Sequence, residues 1–209
     1  GIPDPNANPR LRSAIAIGKA QNMPKDNIER AIKKSYDENG ENYESVRYEG
    51  FGIEGVGLIV ETLTDNRNRT AGDIRSIFSK HGGNLGETGS VSFMFNHLGI
   101  VKFKKSAGNF DDIFEIATDT GALDCDLIED NYEISCSTDD LHQVAENIEK
   151  KLSCDITSQL TWKPSNSIPL NKEKAIKIIE MIEVLEDHDD VQEVFANFDL
   201  PDEVLNELQ

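Results

Sequence analysis

Two arginines, Arg67 and Arg69, stand in the polar stretch of residues 64–70, which reads Thr-Asp-Asn-Arg-Asn-Arg-Thr. The stretch lies between an apolar run typical of a buried strand and a segment with helical periodicity. Guanidinium groups beside a helix N-terminus can hold a phosphate together with backbone N–H groups. The alternative is that the two arginines pair with nearby carboxylates, because structural ion pairs are common.

A larger basic set lies near the start of the chain. Residues 1–34 contain seven basic and three acidic side chains, a balance of +4; because the whole chain carries −18, the remainder carries −22. An acidic body repels phosphate, so this basic end should make any contact with nucleic acid. The alternative is that the acidity only keeps the protein soluble. The candidate nucleic-acid-binding residues are Arg10, Arg12, Lys19, Lys25, Arg30, Lys33, Lys34, Arg67 and Arg69.

The remaining reactive residues do not form a catalytic or metal-binding pattern. The four histidines lack a second ligand three or four residues away, and the three cysteines never form a C-x-x-C pair. The acidic turn at residues 186–190 lacks the glycine and terminal glutamate of a calcium-binding EF-hand loop. No nucleophile, base and orienting group come together. The sequence therefore predicts no enzyme, no metal, no cofactor and no small-molecule substrate.

The glycines at residues 50–55 match G-x-G-x-x-G, but their context argues against nucleotide binding. That fingerprint must follow a strand and open a helix, so that the pyrophosphate meets helical N–H groups. Here the glycines run into the apolar residues 56–60, which read as a strand. They therefore predict a turn between two strands.

The chain has no sequence signal for a membrane. No apolar run approaches the roughly 20 residues of a membrane helix, and no signal-peptide pattern opens the sequence. Three widely spaced cysteines suit a reducing compartment. These features predict a cytoplasmic protein with no membrane partner.

A strand, a helix and a loop must position the arginines of residues 64–70. Residues 56–60 predict the strand, and Thr70 with Asp73 has the form of a capping box that begins the helix. Glycines at residues 82–89 end this helix, because glycine readily takes the left-handed conformation that a helix terminus favours. The alternating apolar residues 91–95 predict a second strand.

Two short helices must carry the basic end. Asn8 followed by Pro9 has the form of an N-cap with proline at the first helical position, and Pro24 predicts the start of a second helix. Arg12 and Lys19 are seven residues apart and therefore share one face of the first helix. A polar linker without periodicity follows at residues 36–42.

The rest of the chain predicts an α+β fold of three lobes. Residues 100–163 read β-α-β-β-α-β, the order of the ferredoxin-like split βαβ unit. A helix over residues 172–186 and a strand over 191–195 would complete the two-layer domain that residues 44–97 leave unfinished. We expect a helical N-terminal lobe and linker at residues 1–43, a discontinuous α+β middle domain at residues 44–99 plus 165–209, and an inserted ferredoxin-like domain at residues 100–164.

Several motifs along the chain closely resemble the YebC/PmpR family. They are the arginine motif at residues 64–70, Gly-Gly-Asn-Leu-Gly at 82–86, Gly-Ser-Val at 89–91, Met-Phe at 94–95, Asn-Pro-Arg-Leu-Arg at 8–12, Asn-Met-Pro-Lys-Asp-Asn-Ile at 22–28, Tyr-Glu-Gly at 48–50 and Asp-Asp-Val-Gln at 189–192. The resemblance covers nearly the whole chain. It implies a middle domain interrupted by an inserted domain, and a segment rich in lysine and arginine before Gly1.

The resemblance also implies a regulator of gene expression, for which two nucleic acids remain open. Members are usually described as transcriptional regulators that bind promoter DNA, and we take this reading first. Others, including the mitochondrial translational activator of cytochrome c oxidase, are described as ribosome-associated translation factors that would contact ribosomal RNA. A scaffold whose acidic lobes bind a basic protein is a third alternative.

The residues themselves bear on this choice of target. Residues 1–34 contain no aromatic side chain, so contact should be with the backbone or its shape rather than by base stacking. No segment resembles a helix-turn-helix with base-reading side chains. An acidic body with one basic end suits a ribosomal cleft at least as well as a promoter.

Overall fold

The computed structural model describes residues 4–5, 8–20, 22–34 and 43–200. Its helices and largely antiparallel sheets confirm the predicted α+β class. The helices of the described residues are α1 (Pro9–Ala20), α2 (Lys25–Lys34), α3 (Arg67–Lys80), α4 (Phe110–Asp119), α5 (Leu141–Leu152) and α6 (Lys172–Glu186). The strands are β1 (Glu44–Phe51), β2 (Gly57–Thr64), β3 (Asn84–Leu85), β4 (Phe95–Lys104), β5 (Asp124–Ile128), β6 (Asn131–Cys136), β7 (Thr157–Pro164), β8 (Ile168–Pro169), β9 (Val191–Ala196) and β10 (Phe198–Asp199). The linker predicted at residues 36–42 lies outside the described residues.

The chain divides into two compact units. One consists of Gly1–Asn42 and Gly99–Leu160, and the other of Tyr43–Leu98 and Thr161–Gln209. The second unit is therefore assembled from two separated segments of chain. The division into three lobes, with its boundaries, stays a prediction.

A four-stranded antiparallel sheet in the order β3-β1-β2-β9 forms the centre of the second unit. β1 and β2 pair over their full length, from Glu44 opposite Thr64 to Phe51 opposite Gly57. The core that these strands form with α3 and α6 contains Val46, Tyr48, Leu58, Val60, Ile74, Phe78, Ile178, Met181 and Leu185. This packing fixes the turn between β2 and α3, where the arginine motif lies.

Glycine is required where the loop after α3 returns to the sheet. A Cβ on Gly50 would lie 2.5 Å from Cε1 of Phe78 and 2.7 Å from the carbonyl oxygen of Asn84. Gly82 has a φ of +76°, which side chains with a Cβ rarely adopt. The predicted glycine loop therefore ends α3 and allows β3 to pair with β1. The glycines at residues 50–55 turn the chain from β1 to β2, as predicted.

The sheet of the other unit has the order β5-β6-β4-β7. α4 follows β4 and α5 follows β6, so the elements read β-α-β-β-α-β along the chain, the predicted ferredoxin-like arrangement. The core between this sheet and its two helices contains Val101, Phe103, Ile113, Ala117, Tyr132, Ile134, Val144 and Ile148. β5 is the outer strand at one edge.

The strand predicted at residues 91–95 is wrong. Ser92–Met94 forms a turn of 3₁₀ helix, and β4 begins only at Phe95. The apolar alternation has another cause, because Val91 and Phe95 are buried in a small cluster with Trp162 rather than on one face of a strand. Phe93, midway between Val91 and Phe95, is 75% exposed, so the alternation of apolar residues does not correspond to one buried face.

Candidate nucleic-acid interface

Both helices of the basic end begin where the local sequence predicts. Oδ1 of Asn8 accepts a hydrogen bond from the N–H of Leu11 at 3.1 Å, and Pro9 is the first helical residue of α1. This cap satisfies one of the backbone donors that a helix start leaves unpaired. α2 begins at Lys25, directly after Pro24.

The two helices form a hairpin around a small residue. Asn22 turns the chain with a φ of 59°, and the N–H of Met23 donates to the carbonyl of Gly18 at 2.8 Å. A Cβ on Gly18 would lie 3.6 Å from Sδ of Met23 and 3.8 Å from Cδ1 of Ile28. Ile28 is buried, so apolar packing at this turn holds α1 and α2 together.

The described cations of the hairpin are all exposed, and they are Arg12, Lys19, Lys25, Arg30 and Lys33. Lys25 pairs with Glu29 at 3.4 Å, an exposed contact of the kind that contributes little to stability. The guanidinium of Arg30 donates to the carbonyl oxygen of Asp26 at 3.2 Å and to Oδ1 of Asn27 at 2.5 Å. These contacts hold Arg30 against its own helix.

Three of these cations have no carboxylate partner among the described residues: Arg12, Lys19 and Lys33. The first two lie on one face of α1 because seven residues make two helical turns. The side chains of Arg10 and Lys34 lie outside the described part of the structure. Within the described part of the chain, an anion that approaches these three positions meets no ion pair, and their contact with nucleic acid stays a prediction.

Arg67 and Arg69 lie in the first turn of α3 rather than in a turn before it. The capping box predicted at Thr70 is wrong, because Asn66 caps the helix and its Oδ1 accepts from the N–H of Arg69 at 3.1 Å. Thr70 is buried one turn into the helix. The carbonyl of Arg67 accepts a hydrogen bond from the hydroxyl of Tyr48 at 3.1 Å, which ties the helix start to β1.

Two carboxylates engage Arg69. Its Nη2 lies 2.7 Å from Oδ1 of Asp65 and 3.1 Å from Oδ2 of Asp190. The same Oδ2 of Asp190 accepts hydrogen bonds from the hydroxyls of Thr70 at 2.5 Å and Thr64 at 3.1 Å. The contacts match the structural ion pair that the sequence left as an alternative for Arg69. Binding of nucleic acid by Arg67 and Arg69 stays a prediction.

Asp190 is a buried anion held by this network. Burial raises the pKa of Asp190, but hydrogen bonds from Thr70, Arg69 and Thr64, together with the charge of Arg69, outweigh it. The pKa therefore lies below the ordinary value of an aspartate, because every one of these donors favours the ionised carboxylate. The network joins the turn after β2 to the start of β9.

A shallow depression of about 600 Å³ beside Arg69 is strongly acidic. Its carboxylates are Asp65, Asp73, Asp187, Asp189 and Asp190. Nδ1 of His188 accepts the backbone N–H of Asp190 at 3.1 Å, and its Nε2 lies 3.5 Å from Oδ2 of Asp73. This negative surround repels phosphate, so Arg69 lies in an electrostatic setting opposite to that of the α1–α2 cations.

Sequence reasoning missed the buried carboxylate of Glu49, although it lies in the Tyr-Glu-Gly motif. Its Oε2 accepts hydrogen bonds from the N–H groups of Val91 and Ser92, both at 2.9 Å. Burial raises the pKa of Glu49, but hydrogen bonds from Val91, Gly89 and Ser92 and the charge of Arg47 outweigh it, so the pKa lies below its ordinary value. Glu49 thereby holds the end of the glycine loop to β1. The sequence shows an acidic residue within a strand, but nothing in it indicates that the carboxylate is buried.

A second unpredicted cluster surrounds Trp162, the only tryptophan of the chain. His97 stacks on the indole with 4.2 Å between ring centroids, and Cζ of Arg47 lies 4.4 Å from the ring centroid. Oε1 of Glu61 accepts from Nε of Arg47 at 2.7 Å and from Nε1 of Trp162 at 3.1 Å. Burial and the charge of Arg47 lower the pKa of His97. The pairing of β1 with β2 puts Arg47 opposite Glu61, and the two neighbouring strands could be predicted from the sequence. Nothing in the sequence indicates that Trp162 joins this pair.

Burial raises, rather than lowers, the pKa of the cysteine thiols of the described residues. No group of His, Cys, Asp and Glu side chains there could hold a metal ion. Burial raises the pKa of Cys136 to about 11 and also raises that of Cys125, so both thiols stay protonated near neutral pH. Within the same residues, no helix has the length and apolar character needed to cross a bilayer.

Comparison with known proteins gives matches over most of the chain. Residues 43–198 match the family model described as TACO1/YebC second and third domain, and residues 1–38 match the model described as TACO1/YebC protein N-terminal domain. Among solved structures, the chain is similar to the conserved hypothetical protein Aq1575 from Aquifex aeolicus, with 43% sequence identity and a TM-score of 0.85. That match covers 98% of this chain and 85% of the other.

Proposed function

Because the chain belongs to the TACO1/YebC family, as its motifs predict, we propose that it is a non-catalytic, cytoplasmic regulator of gene expression that binds nucleic acid. The observation that carries this proposal is the set of exposed cations on α1 and α2. They are the basic end of a chain with a net charge of −18. The field of such a chain draws phosphate to this end and repels it elsewhere.

The proposal that the protein is not an enzyme rests on how the polar groups of the arginine motif are used. The hydroxyls of Thr64 and Thr70 lie 2.7 Å apart, and both bond to the carboxylate of Asp190. These buried groups satisfy one another inside the fold. A carboxylate and two hydroxyls that serve as each other's partners are not presented to a substrate.

Promoter DNA is the first target that we propose, since the family is one of transcriptional regulators. In the described residues, α1 and α2 present lysine and arginine side chains. Oδ1 of Asn27 already accepts a hydrogen bond from Arg30. Such side chains contact phosphates and position a protein on a duplex, whereas base edges are read by other contacts. Sequence preference would then come from groove shape or from DNA deformability.

Ribosomal RNA is the second candidate, and the charge distribution favours it. A basic hairpin on an acidic chain anchors by one end and holds the rest away from phosphate, as suits a cleft lined by structured RNA. The motifs of the chain also resemble family members that are described as ribosome-associated translation factors. Recognition by backbone and shape, without aromatic stacking, fits folded RNA as well as it fits DNA.

In-cell crosslinking separates these targets. The complete gene product, tagged and expressed at its native level, is crosslinked and purified, and the attached nucleic acid is sequenced. A variant with Arg12→Glu, Lys19→Glu and Lys33→Glu tests whether the hairpin makes the contact. A matched control reverses two exposed cations of α3, Arg75→Glu and Lys80→Glu.

Each outcome assigns the function. Discrete promoter fragments, lost in the α1–α2 variant and kept in the control, support the transcriptional regulator. Ribosomal RNA crosslinked at one locus, with the same dependence on the hairpin, makes the protein a translation factor. Recovery of neither nucleic acid above background overturns the proposal and leaves the protein-binding scaffold.

A further inference from the structure

One flank of the ferredoxin-like sheet exposes apolar side chains. On α4, Phe110 and Phe114 are 42% and 50% exposed, and Leu123 and Leu127, at the start of and within β5, are 66% and 37% exposed. β5 is the outer strand of its sheet, and no strand of the described residues pairs with its free side. Proteins normally protect or use an open strand edge that adjoins apolar side chains.

Aromatic contacts and strand pairing relate the exposed side chains of α4 to Leu127 of β5. The rings of Phe110 and Phe114 stack with 6.0 Å between their centroids. Phe110 also lies 6.3 Å from the ring of Tyr132, which is directly opposite Leu127 in the β5–β6 ladder. Four residues, 120–123, join α4 to β5, so Leu123 directly precedes the strand.

The exposed apolar side chains of α4 and β5 lie in an acidic segment of the chain. Residues 109–130 include eight Asp and Glu residues and no Lys, Arg or His. Along β5 the side chains alternate, so that Asp124 and Asp126 share one face of the strand while Cys125 and Leu127 share the other. Cys125 is buried in the core, whereas Leu127 reaches the surface. The edge strand thus offers Asp124 and Asp126, followed by Ile128, on one face and Leu127 on the other.

We propose that β5 and α4 form a docking surface for an extended segment of a basic protein in which Lys or Arg alternates with apolar residues. This segment adds to the free edge of β5 as a further strand, through backbone hydrogen bonds. Its apolar side chains cover Phe114 and Leu127, and its basic side chains lie on the face of Asp124 and Asp126. The alternation of β5 and its charge define the chemistry of the partner.

Other occupants fit this surface less well. Nucleic acid would bring its phosphates to Asp124 and Asp126 on an acidic segment of the chain, which repels them, although Asp119 of that segment is paired with Lys151. A second copy of the chain, pairing β5 with β5, would place acidic residues opposite one another, and like charges in that position destabilise a strand pair. The proposal uses none of the α1–α2 cations, so it stands or falls independently of nucleic-acid binding.

The test titrates a short peptide of alternating lysine and valine into the full chain labelled with ¹⁵N. We expect the backbone amides of residues 123–128 to show the largest chemical-shift changes. Phe114→Asp and Asp124→Lys should each weaken binding by about tenfold or more, as expected for a central contact of a small interface. Val184→Asp, at a similarly exposed position on α6, is the control and should leave binding unchanged.

A second peptide of the same composition, with its lysines grouped at one end, tests the alternation. Equal binding of both peptides would show simple charge attraction and overturn the proposal. It is also overturned if no amide shifts at millimolar peptide, or if the shifts lie outside α4 and β5. A solution dimer or nucleic-acid binding that Phe114→Asp abolishes would assign the surface to a second copy or to nucleic acid instead.

Discussion

Arg12, Lys19 and Lys33 of the α1–α2 hairpin have the same chemistry as Arg47 and Arg69 of the second unit, but their surroundings are opposite. Arg12, Lys19 and Lys33 are exposed and have no carboxylate partner among the described residues. Arg69 touches two carboxylates, and Arg47 lies over an indole with a glutamate at its Nε. The first group is available to an outside anion, whereas the second holds separate strands and helices of the fold together. Residue type alone therefore does not mark a phosphate-binding cation.

Reversal of charge on the hairpin should produce the largest effect. The triple variant Arg12→Glu, Lys19→Glu and Lys33→Glu is expected to lower affinity for nucleic acid by roughly a hundredfold or more near 0.1 M salt, because each lost phosphate contact removes about 0.7–0.9 from the slope of log K against log salt. Fluorescence anisotropy with a DNA duplex and with a structured RNA, each over a range of salt, measures both quantities.

The matched control for this prediction is Arg75→Glu with Lys80→Glu on α3. It changes net charge by a similar kind of substitution while leaving the hairpin intact, so its affinity and salt slope should stay close to those of the unmodified chain. Equal weakening in both variants would mean that overall charge, and not the hairpin, governs binding. The conclusion that the hairpin cations differ in function from the other cations of the chain would then be wrong.

Removal of Asp190 should act on stability instead of binding. Asp190→Ala removes the charged acceptor that the buried hydroxyls of Thr64 and Thr70 share, and it removes one partner of Arg69. We expect the free energy of unfolding to fall by about 2–3 kcal/mol, as when buried polar groups lose a partner. Urea denaturation followed by circular dichroism measures it. Asp189→Ala, its exposed neighbour, should change stability by less than about 0.5 kcal/mol.

Much of the fold follows from local signals that the sequence contains. α6 spans Lys172–Glu186, the range that helical periodicity predicts, and α1 begins with the predicted Asn8 cap. The strand expected at residues 91–95 fails because Val91 and Phe95 pack against Trp162, which lies far along the chain. Period-two alternation predicts one buried face, but here Phe93, between Val91 and Phe95, is exposed, so the pattern arises without a strand.

At the candidate site, too, some features were predictable from the sequence and others were not. Exposure of Lys19 and Lys33 follows from helical geometry and was predictable. Asp65 lies four residues before Arg69, but the second partner of this arginine was not predictable, because Asp190 lies 121 residues further along the chain and meets Arg69 only through the pairing of β2 with β9. Sequence spacing identifies charged side chains, but the tertiary fold decides which of them are neutralised.

The pH dependence of stability tests whether Asp190 is held as a buried anion. The folded pKa of Asp190 is lowered, so its contribution to stability is fully present above the ordinary aspartate pKa of about 3.9 and is lost as the pH falls through the lower folded value. Asp190→Asn should be less stable than the unmodified chain at neutral pH, and the difference should shrink below about pH 4. Urea midpoints measured from pH 7 to pH 3 test this. A constant difference would mean that Asp190 is not held as an anion.

The smallest expected effect is on the pKa of His97, and it concerns Arg47, whose guanidinium lies over the indole of Trp162. Trp162 is the only tryptophan, so its fluorescence reports the cluster directly. A protonated imidazole quenches a stacked indole; because burial and the charge of Arg47 lower the pKa of His97, the quenching midpoint should lie below the ordinary histidine value of about 6.5. Arg47→Gln should move the midpoint upward by a fraction of a pH unit, since one source of the lowering is removed, and His97→Gln should abolish the transition. An unchanged midpoint in Arg47→Gln would mean that burial alone sets the pKa of His97, and that Arg47 acts here only through its contacts with Trp162 and Glu61.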